Sequence, residues 1–260
     1  IRNKGIEIAI NSTNIASKSG FRWTTDFNIS FIRNELRALA GGAKEMQTSA
    51  SWNSDYTGYD YTARVGQSLG LIYGYVFDGV YQTSDVNAAT GEYVLKEGVT
   101  DISDHAGVPV EPGMVKYKDT DGDGVITTAD RTVIGNGTPK WYGGITNTFS
   151  FKGVDLSFMF QFNYGNDVYN ATRIYASQTQ DQRANLMAEV ADRWTVTNAS
   201  NKVPAWDGYI KNEIYSRFIE DGSFLRLKNL TVGYTFPQRW TRKFYVSKLR
   251  LYFTAQNLFV

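Results

Sequence analysis

The sequence predicts an all-β chain of antiparallel hairpins separated by two long excursions. Three observations carry this expectation. Apolar and polar residues alternate strictly in three stretches; the palette holds 17 Tyr, 15 Phe and 24 Gly but only 5 Pro; and very short turns alternate with very long loops. Alternation with a period of two sends successive side chains to opposite faces of a strand. Aromatic residues suit such a pleated surface better than they suit a helix.

In the first hairpin, "KGIEIAIN" sets Ile6, Ile8 and Ile10 against Glu7, Ala9 and Asn11. The stretch "NSTNIASKSG" reads as the turn, and "FRWTTDFNISF" then sets Phe21, Trp23, Thr25, Phe27, Ile29 and Phe31 against Arg22, Thr24, Asp26, Asn28 and Ser30. Such a pair of runs is a hairpin signal. The pattern returns over 141–164. There "WYGGITNTFSF" is loosened by glycine, while "DLSFMFQFNY" sets Leu156, Phe158, Phe160, Phe162 and Tyr164 against Ser157, Met159, Gln161 and Asn163. A third pair closes the chain. Leu230, Val232, Tyr234 and Phe236 of "LTVGYTF" share one face, and Leu249, Leu251, Phe253 and Ala255 of "LRLYFTAQNLF" share another. Just upstream, "SFLRLKN" breaks the parity: Arg226 and Lys228 fall on the face that later turns apolar, so this part is expected to lie outside any apolar belt.

The excursions run roughly over 34–140 and 165–222. The second contains "DQRANLMAEVADRW", in which Leu186, Met187, Val190, Ala191 and Trp194 have helical spacing and predict a short amphipathic helix packed on its own loop.

Alternation alone fits a soluble sandwich as well as a membrane-spanning barrel. Two features favour the barrel. The apolar faces are unusually aromatic, and Trp23, Trp141, Tyr142 and Trp240 lie near strand ends, where interface girdles belong. Short turns on one side and long loops on the other are the asymmetry of outer-membrane barrels. With 27 Lys and Arg against 26 Asp and Glu, no global field points to nucleic acid or to an anionic membrane surface. The absence of Cys excludes a disulfide scaffold and thiolate metal sites. No apolar run reaches the ~18 residues of a spanning helix. The chain opens without Met or a signal sequence and closes on "TAQNLFV" as if within a strand, so both ends are expected to be cut.

Several blocks together resemble a known family. "NKGIEIAINSTNI", "FRWTTDFNISF", "YGYVFDGVYQ", "VKYKDTDGDGVITTADRTVIG", "FKGVDLSFMFQFNYGNDVYN", "SRFIEDGSFLRLKNLTVGYTFP" and "LRLYFTAQNLF" occur in the order found in the C-terminal part of SusC/RagA-type TonB-dependent transporters. The resemblance implies that residues 1–260 are part of a large antiparallel transmembrane β-barrel, of the plugged type with roughly 22 strands. The plug, the N-terminal strands and the last strands would lie outside this stretch. It further implies a multi-pass protein of the outer membrane, in contact with its lipid, that imports oligosaccharides or peptides. The partners would be a SusD-like surface lipoprotein and the TonB protein, which acts through the plug. The other reading of the residues is a secreted β-rich carbohydrate-binding or adhesin module with a calcium-stapled loop.

That loop is "DTDGDGVITTAD". Counted from Asp119, side-chain oxygens fall at positions 1, 3 and 5 (Asp119, Asp121, Asp123), Gly124 stands at position 6, and Asp130 at position 12. Val125 would offer a carbonyl at position 7, and Thr127 stands at position 9. A calcium ion takes six to eight oxygens in this pattern, and the glycine permits the sharp turn. Aspartate at position 12 is shorter than the usual glutamate. Asp and Gly also favour turns that hold no metal. No entering helix is expected, because Pro109, Pro112 and Gly113 precede the loop. A bound ion would therefore organise a long surface loop and would not drive a sensor.

Catalysis finds little support. The lone histidine, His105, sits in "DISDHAGVP" and reads as a solvated loop residue. Glu220 and Asp221 read as a turn before a strand, and no nucleophile, phosphate-loop or zinc-protease motif occurs. The loop aromatics Tyr56, Tyr59, Tyr61, Trp206 and Tyr209 could stack on sugars or peptides, but loop packing is the better explanation of them.

Overall fold

The computed structural model describes residues 1–54, 56–88, 93–178 and 185–260. The chain divides into two units. One comprises Ile1–Asn34, Thr138–Asn166 and Asp221–Val260, and the other Glu35–Gly137 and Asp167–Glu220. The alternating stretches form the first, here termed the wall, and the two excursions fold together as the second, the loop unit.

The wall is one antiparallel sheet of six strands: β1 (Arg2–Ala16), β2 (Arg22–Glu35), β3 (Trp141–Phe151), β4 (Val154–Tyr164), β5 (Phe224–Thr235) and β6 (Arg250–Phe259). Their order in the sheet is their order in the chain. Strand β1 runs to Ala16, well into the stretch read as a turn, and the reversal is only Ser17–Gly20, closed by the Ser17 amide on the Phe21 carbonyl at 2.8 Å. Thr13 and Asn14 join the ladder because their neighbours across the hairpin accept them, as Asn14 Nδ2 donating to Thr25 Oγ1 at 2.6 Å shows.

Register turns the alternation into two distinct surfaces. Trp23, Phe149, Leu156, Val232 and Phe253 stand opposite one another in a single row across five strands. One position further along, the row is Thr24, Thr148, Ser157, Thr231 and Thr254. The first row is apolar on one face. The second is a ladder of hydroxyls on the other, joined at Thr148–Ser157 (3.2 Å) and Thr231–Thr254 (3.0 Å). The polar face also carries the Arg250–Asp155 ion pair at 2.6 Å. Gly233 lies beneath that pair, where a Cβ would meet Arg250 Nη2 at 2.5 Å and the Asp155 carboxylate at 2.6 Å.

The parity break at "SFLRLKN" does not move the chain out of the apolar belt. Phe160 pairs with Leu227 while its neighbour Met159 pairs with Asn229, so Lys228 is an extra residue bulged out of the ladder. The bulge resets the alternation. Leu225 and Leu227 stand opposite Phe162 and Phe160 on the apolar face, and Arg226 pairs with Gln161 on the polar one. Of the girdle candidates, Trp23 stacks on Phe149 at 5.5 Å and Trp141 on Tyr164 at 5.0 Å. Tyr142 pairs with Ser30 and Asn163 and so belongs to the polar face.

Burial separates the two units. Every buried apolar residue among those described belongs to the loop unit, and none to the wall. The wall's apolar side chains are half-buried in the inner strands, as at Phe149, Leu156 and Phe158, and open on β6, with Leu251 60% and Phe253 67% exposed.

The loop unit has a core of its own. A four-stranded sheet runs in the order Thr132–Asn136, Leu71–Gly74, Tyr61–Arg64, Glu45–Thr48, and Phe77–Val80 pairs with Val115–Tyr117. Tyr75, Tyr81, Ile102, Tyr117, Ile126, Ile174, Tyr215 and Phe218 form the centre. Tyr75 lies flat on Tyr117 at 4.7 Å, and Tyr215 meets Tyr117 at 5.3 Å and Phe218 at 4.9 Å. Stacked and edge-on rings of this kind dominate the energetics of a small core.

The helix expected around Leu186–Trp194 is a 3-10 turn over Ala188–Asp192; residues 179–184 lie outside the described ones. Only Val190 is buried there, while Leu186 and Met187 are exposed. Trp194 is held by its indole N–H, which donates to Gln82 Oε1 at 3.0 Å. Tertiary contacts at two points hold this segment, so it needs no continuous apolar stripe. An α-helix does occur nearby, at Ala171–Gln178.

Candidate functional site

The acidic loop is anchored on both sides by strands of the loop unit, Val115–Tyr117 before it and Thr132–Asn136 after it. Ile126, at position 8, is fully buried in the tyrosine core. Its amide donates to the Asp101 carbonyl at 2.7 Å, and the Asp101 amide donates to the Gly124 carbonyl at 2.9 Å. The loop is thus tied to a neighbouring segment at the point where its apolar anchor enters the core.

Carboxylate oxygens of Asp119, Asp121 and Asp123 lie within 4.8 Å of one another. Each is oriented by backbone amides. Asp119 accepts from Gly122 at 2.6 Å and from Gly124 at 2.7 Å, Asp121 from Asp123 at 3.3 Å, and Asp123 from Val125 at 2.9 Å. Gly122 and Gly124 have φ of +83° and +88°, which a side chain would strain. The electrostatics differ along the row. Amides of Gly124 and Gly122 hold the Asp119 carboxyl below its ordinary range. Asp121 is raised: the Asp123 amide pulls it down, but burial and the charges of Asp123, Asp130 and Asp119 outweigh that bond. Three close carboxylates, the middle one raised by its neighbours' charges, form a donor set of the kind a hard cation takes.

Asp130 and Thr127 serve the frame. Asp130 is fully buried; its Oδ1 accepts the Thr120 amide at 2.7 Å and its Oδ2 the Thr127 amide at 2.8 Å. Thr127 Oγ1 in turn accepts the Ala129 amide at 3.1 Å, completing a capping box on the turn Thr128–Asp130. Of the six residues named from the sequence, the fold gathers three carboxylates at one point. It makes Asp130 the clasp that joins the loop's two ends. Val125 is fixed through its amide and through the bridge to Asp101.

His105 is not the solvated residue that its loop context predicts. Its side chain is 15% exposed, its Nε2 is bonded to Glu213 Oε1, and its ring lies 5.1 Å from Tyr75. The bond to Glu213 raises the imidazole above its ordinary value, against an opposing effect of burial. A sequence separation of 108 residues left no local signal for this pair. Glu220 is bound by Asn170 at 3.0 Å and Arg173 at 3.2 Å in a structural ion pair.

Three of the five loop aromatics pack inward. Tyr56 stacks on Trp52 at 4.5 Å and donates to Gln178 Oε1 at 3.0 Å, Tyr61 meets Tyr169 edge-on at 6.5 Å, and Tyr209 packs against the core with its hydroxyl buried. Tyr59 and Trp206 remain exposed, at 53% and 41%.

Comparison with known proteins gives the same picture along the whole chain. No family model matches. TonB-dependent receptor P3 of Formosa agariphila is 33% identical over 258 residues, which is 99% of this chain and 24% of that receptor. TonB-dependent receptor P26 of the same organism is 31% identical over 261 residues, and TonB-dependent receptor SusC of Bacteroides thetaiotaomicron is 26% identical over 262 residues. The chain is a relative of the SusC/RagA-type TonB-dependent receptors. It spans about a quarter of the length of the curated relatives it matches. Solved structures agree on the fold. The RagAB peptide transporter superposes with a TM-score of 0.69 at 20% identity, and the RagAB peptide importer in its closed-closed state with 0.70 at 21%; each match covers 99% of this chain and 25% of the solved one. The six-stranded wall and its long loops thus share the fold of a quarter of that transporter chain. Among the described residues no helix is long and apolar enough to cross a membrane, which leaves a strand-built crossing untouched.

Proposed function

We propose that this chain supplies part of the barrel wall, and a folded loop assembly, of an outer-membrane TonB-dependent importer of oligomeric nutrients. The observation that carries the reading is the pair of adjacent rows in the wall. Trp23, Phe149, Leu156, Val232 and Phe253 make an apolar band, while Thr24, Thr148, Ser157, Thr231 and Thr254 make a hydroxyl-lined one. Apolar outside and polar inside is the arrangement of a spanning barrel with a wet interior. A soluble sandwich would instead bury the aromatic face in a core, and the wall contributes none of the buried apolar residues.

In this reading a plug outside the present stretch closes the lumen. TonB, acting on that plug, supplies the energy for import, and a SusD-like lipoprotein presents substrate at the surface. Oligosaccharides are the substrate class we favour, as the family resemblance implies and on the exposed Tyr59 and Trp206 of the loop unit, although the solved structures of the same fold are of a peptide transporter. The loop Asp119–Asp130 holds a calcium ion through Asp119, Asp121 and Asp123, which keeps the loop in shape for that work. The experiment is uptake of labelled oligosaccharides and of labelled peptides by cells expressing the whole receptor, with and without functional TonB. TonB-dependent accumulation of the glycan supports the proposal. Accumulation of the peptide alone reassigns the substrate, and TonB-independent uptake of both removes the mechanism.

A further inference from the structure

The turn between β5 and β6 is built differently from the other short turns of the wall. Between β1 and β2, and between β3 and β4, the chain reverses within a few residues. After β5 it forms a helical turn at Gln238–Thr241 and a 3-10 turn at Arg242–Phe244; Tyr245 then takes a left-handed conformation, φ +59°, and the Val246 amide returns to the Thr241 carbonyl at 3.1 Å. The result is a hollow of about 290 Å³ lined by Phe236, Trp240, Thr241, Phe244, Val246 and Leu249.

This hollow continues the apolar face of the wall. Tyr234 stands opposite Leu251 on that face, the Phe236 ring meets Tyr234 at 4.9 Å, and the Phe236 amide donates to the Leu249 carbonyl at 2.9 Å. Trp240 and Phe244, at its mouth, are 48% and 78% exposed, which is costly for groups with nothing to cover them. The turn that carries the hollow is strongly cationic. Residues 237–249 include Arg239, Arg242, Lys243 and Lys248 and no carboxylate. Arg239 lies over the Trp240 ring at 5.8 Å, and all four cations are exposed. No ion pair involving them occurs among the described residues.

We propose that this turn is a binding site for an anionic glycerophospholipid, with an acyl chain entering the apolar hollow and the phosphate held by Arg242, Lys243 and Lys248. The proposal rests on the reading of the wall's apolar face as the membrane-facing one. Charge complementarity selects the occupant. A zwitterionic lipid would leave the cations of the turn unmatched, and a free anion would leave the hollow unfilled. Basic clusters beside an apolar surface at a membrane boundary recognise anionic headgroups in this way.

The test uses the whole receptor chain in nanodiscs of phosphatidylethanolamine with and without phosphatidylglycerol, with retained lipid read by native mass spectrometry after transfer to detergent. Wild type is expected to retain phosphatidylglycerol over phosphatidylethanolamine by about tenfold or more. The R242Q/K243Q/K248Q variant is expected to insert normally and lose that preference, and F244A to retain less of both lipids. Equal retention of the two lipids by inserted wild type overturns the site. So does an unchanged preference in the triple variant, or glycerol 3-phosphate binding as tightly as the lipid. Failure of the wild-type receptor to insert in either nanodisc overturns the membrane reading itself, and the site with it.

Discussion

The imidazole of His105 is bonded through Nε2 to the carboxylate of Glu213, 108 residues further along the chain. The pair joins the segment before the acidic loop to the second excursion, within the loop unit. Tyr75, Tyr117, Arg131 and Asp130 surround it. Because the bond raises the folded-state value of the imidazole, its contribution is fully present below the ordinary imidazole value and fades as pH rises through the raised one. The loop unit is therefore expected to resist proteolysis better in mildly acidic than in mildly alkaline buffer. Glu213→Gln should abolish that difference and cost about 2 kcal/mol at low pH, the scale of a hydrogen bond to a charged group. A protection profile that is flat with pH in the parent protein would refute this.

Phe158 stands between Asn147 and Leu230 in the middle of the apolar face, and its neighbour Ser157 lies in the hydroxyl row. In a spanning barrel, Phe158→Arg should destabilise by about 2–4 kcal/mol, as lipid-facing arginines near the midplane do, while Ser157→Arg is tolerated. Urea unfolding of the whole receptor in detergent micelles or bilayers measures both. Equal sensitivity at the two positions would contradict the assignment of faces.

Lys228 is the extra residue that resets alternation in β5. Its deletion should leave Leu227 opposite Phe160 and Leu225 opposite Phe162 in an unbroken ladder, whereas deletion of Arg226 should turn Leu225 onto the polar face, because a one-residue slip exchanges the faces of a strand. Assembly into heat-modifiable, folded receptor should fall sharply for the Arg226 deletion and much less for the Lys228 deletion. Lys228→Ala, which keeps the extra residue, should assemble as the parent does.

In the acidic loop the proposed ion ligands and the framework clasp are different carboxylates. D121N/D123N is expected to weaken calcium binding by tenfold or more, measured by calorimetry with calcium chloride, with the loop's order in chelator unchanged. Asp130→Asn should loosen the loop with or without the ion, since its two oxygens clasp Thr120 and Thr127. Calcium affinity in the parent that is no better than in the double variant would remove the ion from the account.

Gly113 has φ of +100°, and a Cβ there would come within 2.7 Å of the Trp194 ring and 2.8 Å of Ala205. Gly107 has φ of +70° with no atom within 4 Å of such a Cβ. Gly107→Ala should cost only the left-handed conformation, about 1–2 kcal/mol. Gly113→Ala should cost more, because Trp194 must also move off Gln82. Hydrogen exchange around Trp194 distinguishes the two.

Much of the wall was legible in the residues, because a period of two is a local property: Trp23, Phe158 and Val232 declare their face through their immediate neighbours. The boundaries of the excursions were legible for the same reason. Where alternation stops, the wall stops. The spacing of Asp119, Asp121 and Asp123 was readable too, since a loop of adjacent ligands closes on itself.

What the tertiary structure alone decided are relations between distant segments. The bulge at Lys228 shows only against its partner strand, where Met159 and Phe160 skip a residue. Asp130 becomes a clasp only when Thr120 is folded beneath it. His105 is buried by Glu213 and Tyr75, which no local pattern foretells. The helix expected near Val190 gave way to a 3-10 turn because single contacts, Val190 in the core and Trp194 on Gln82, hold that segment. Periodicity determines which way a side chain points, but only packing determines what it meets.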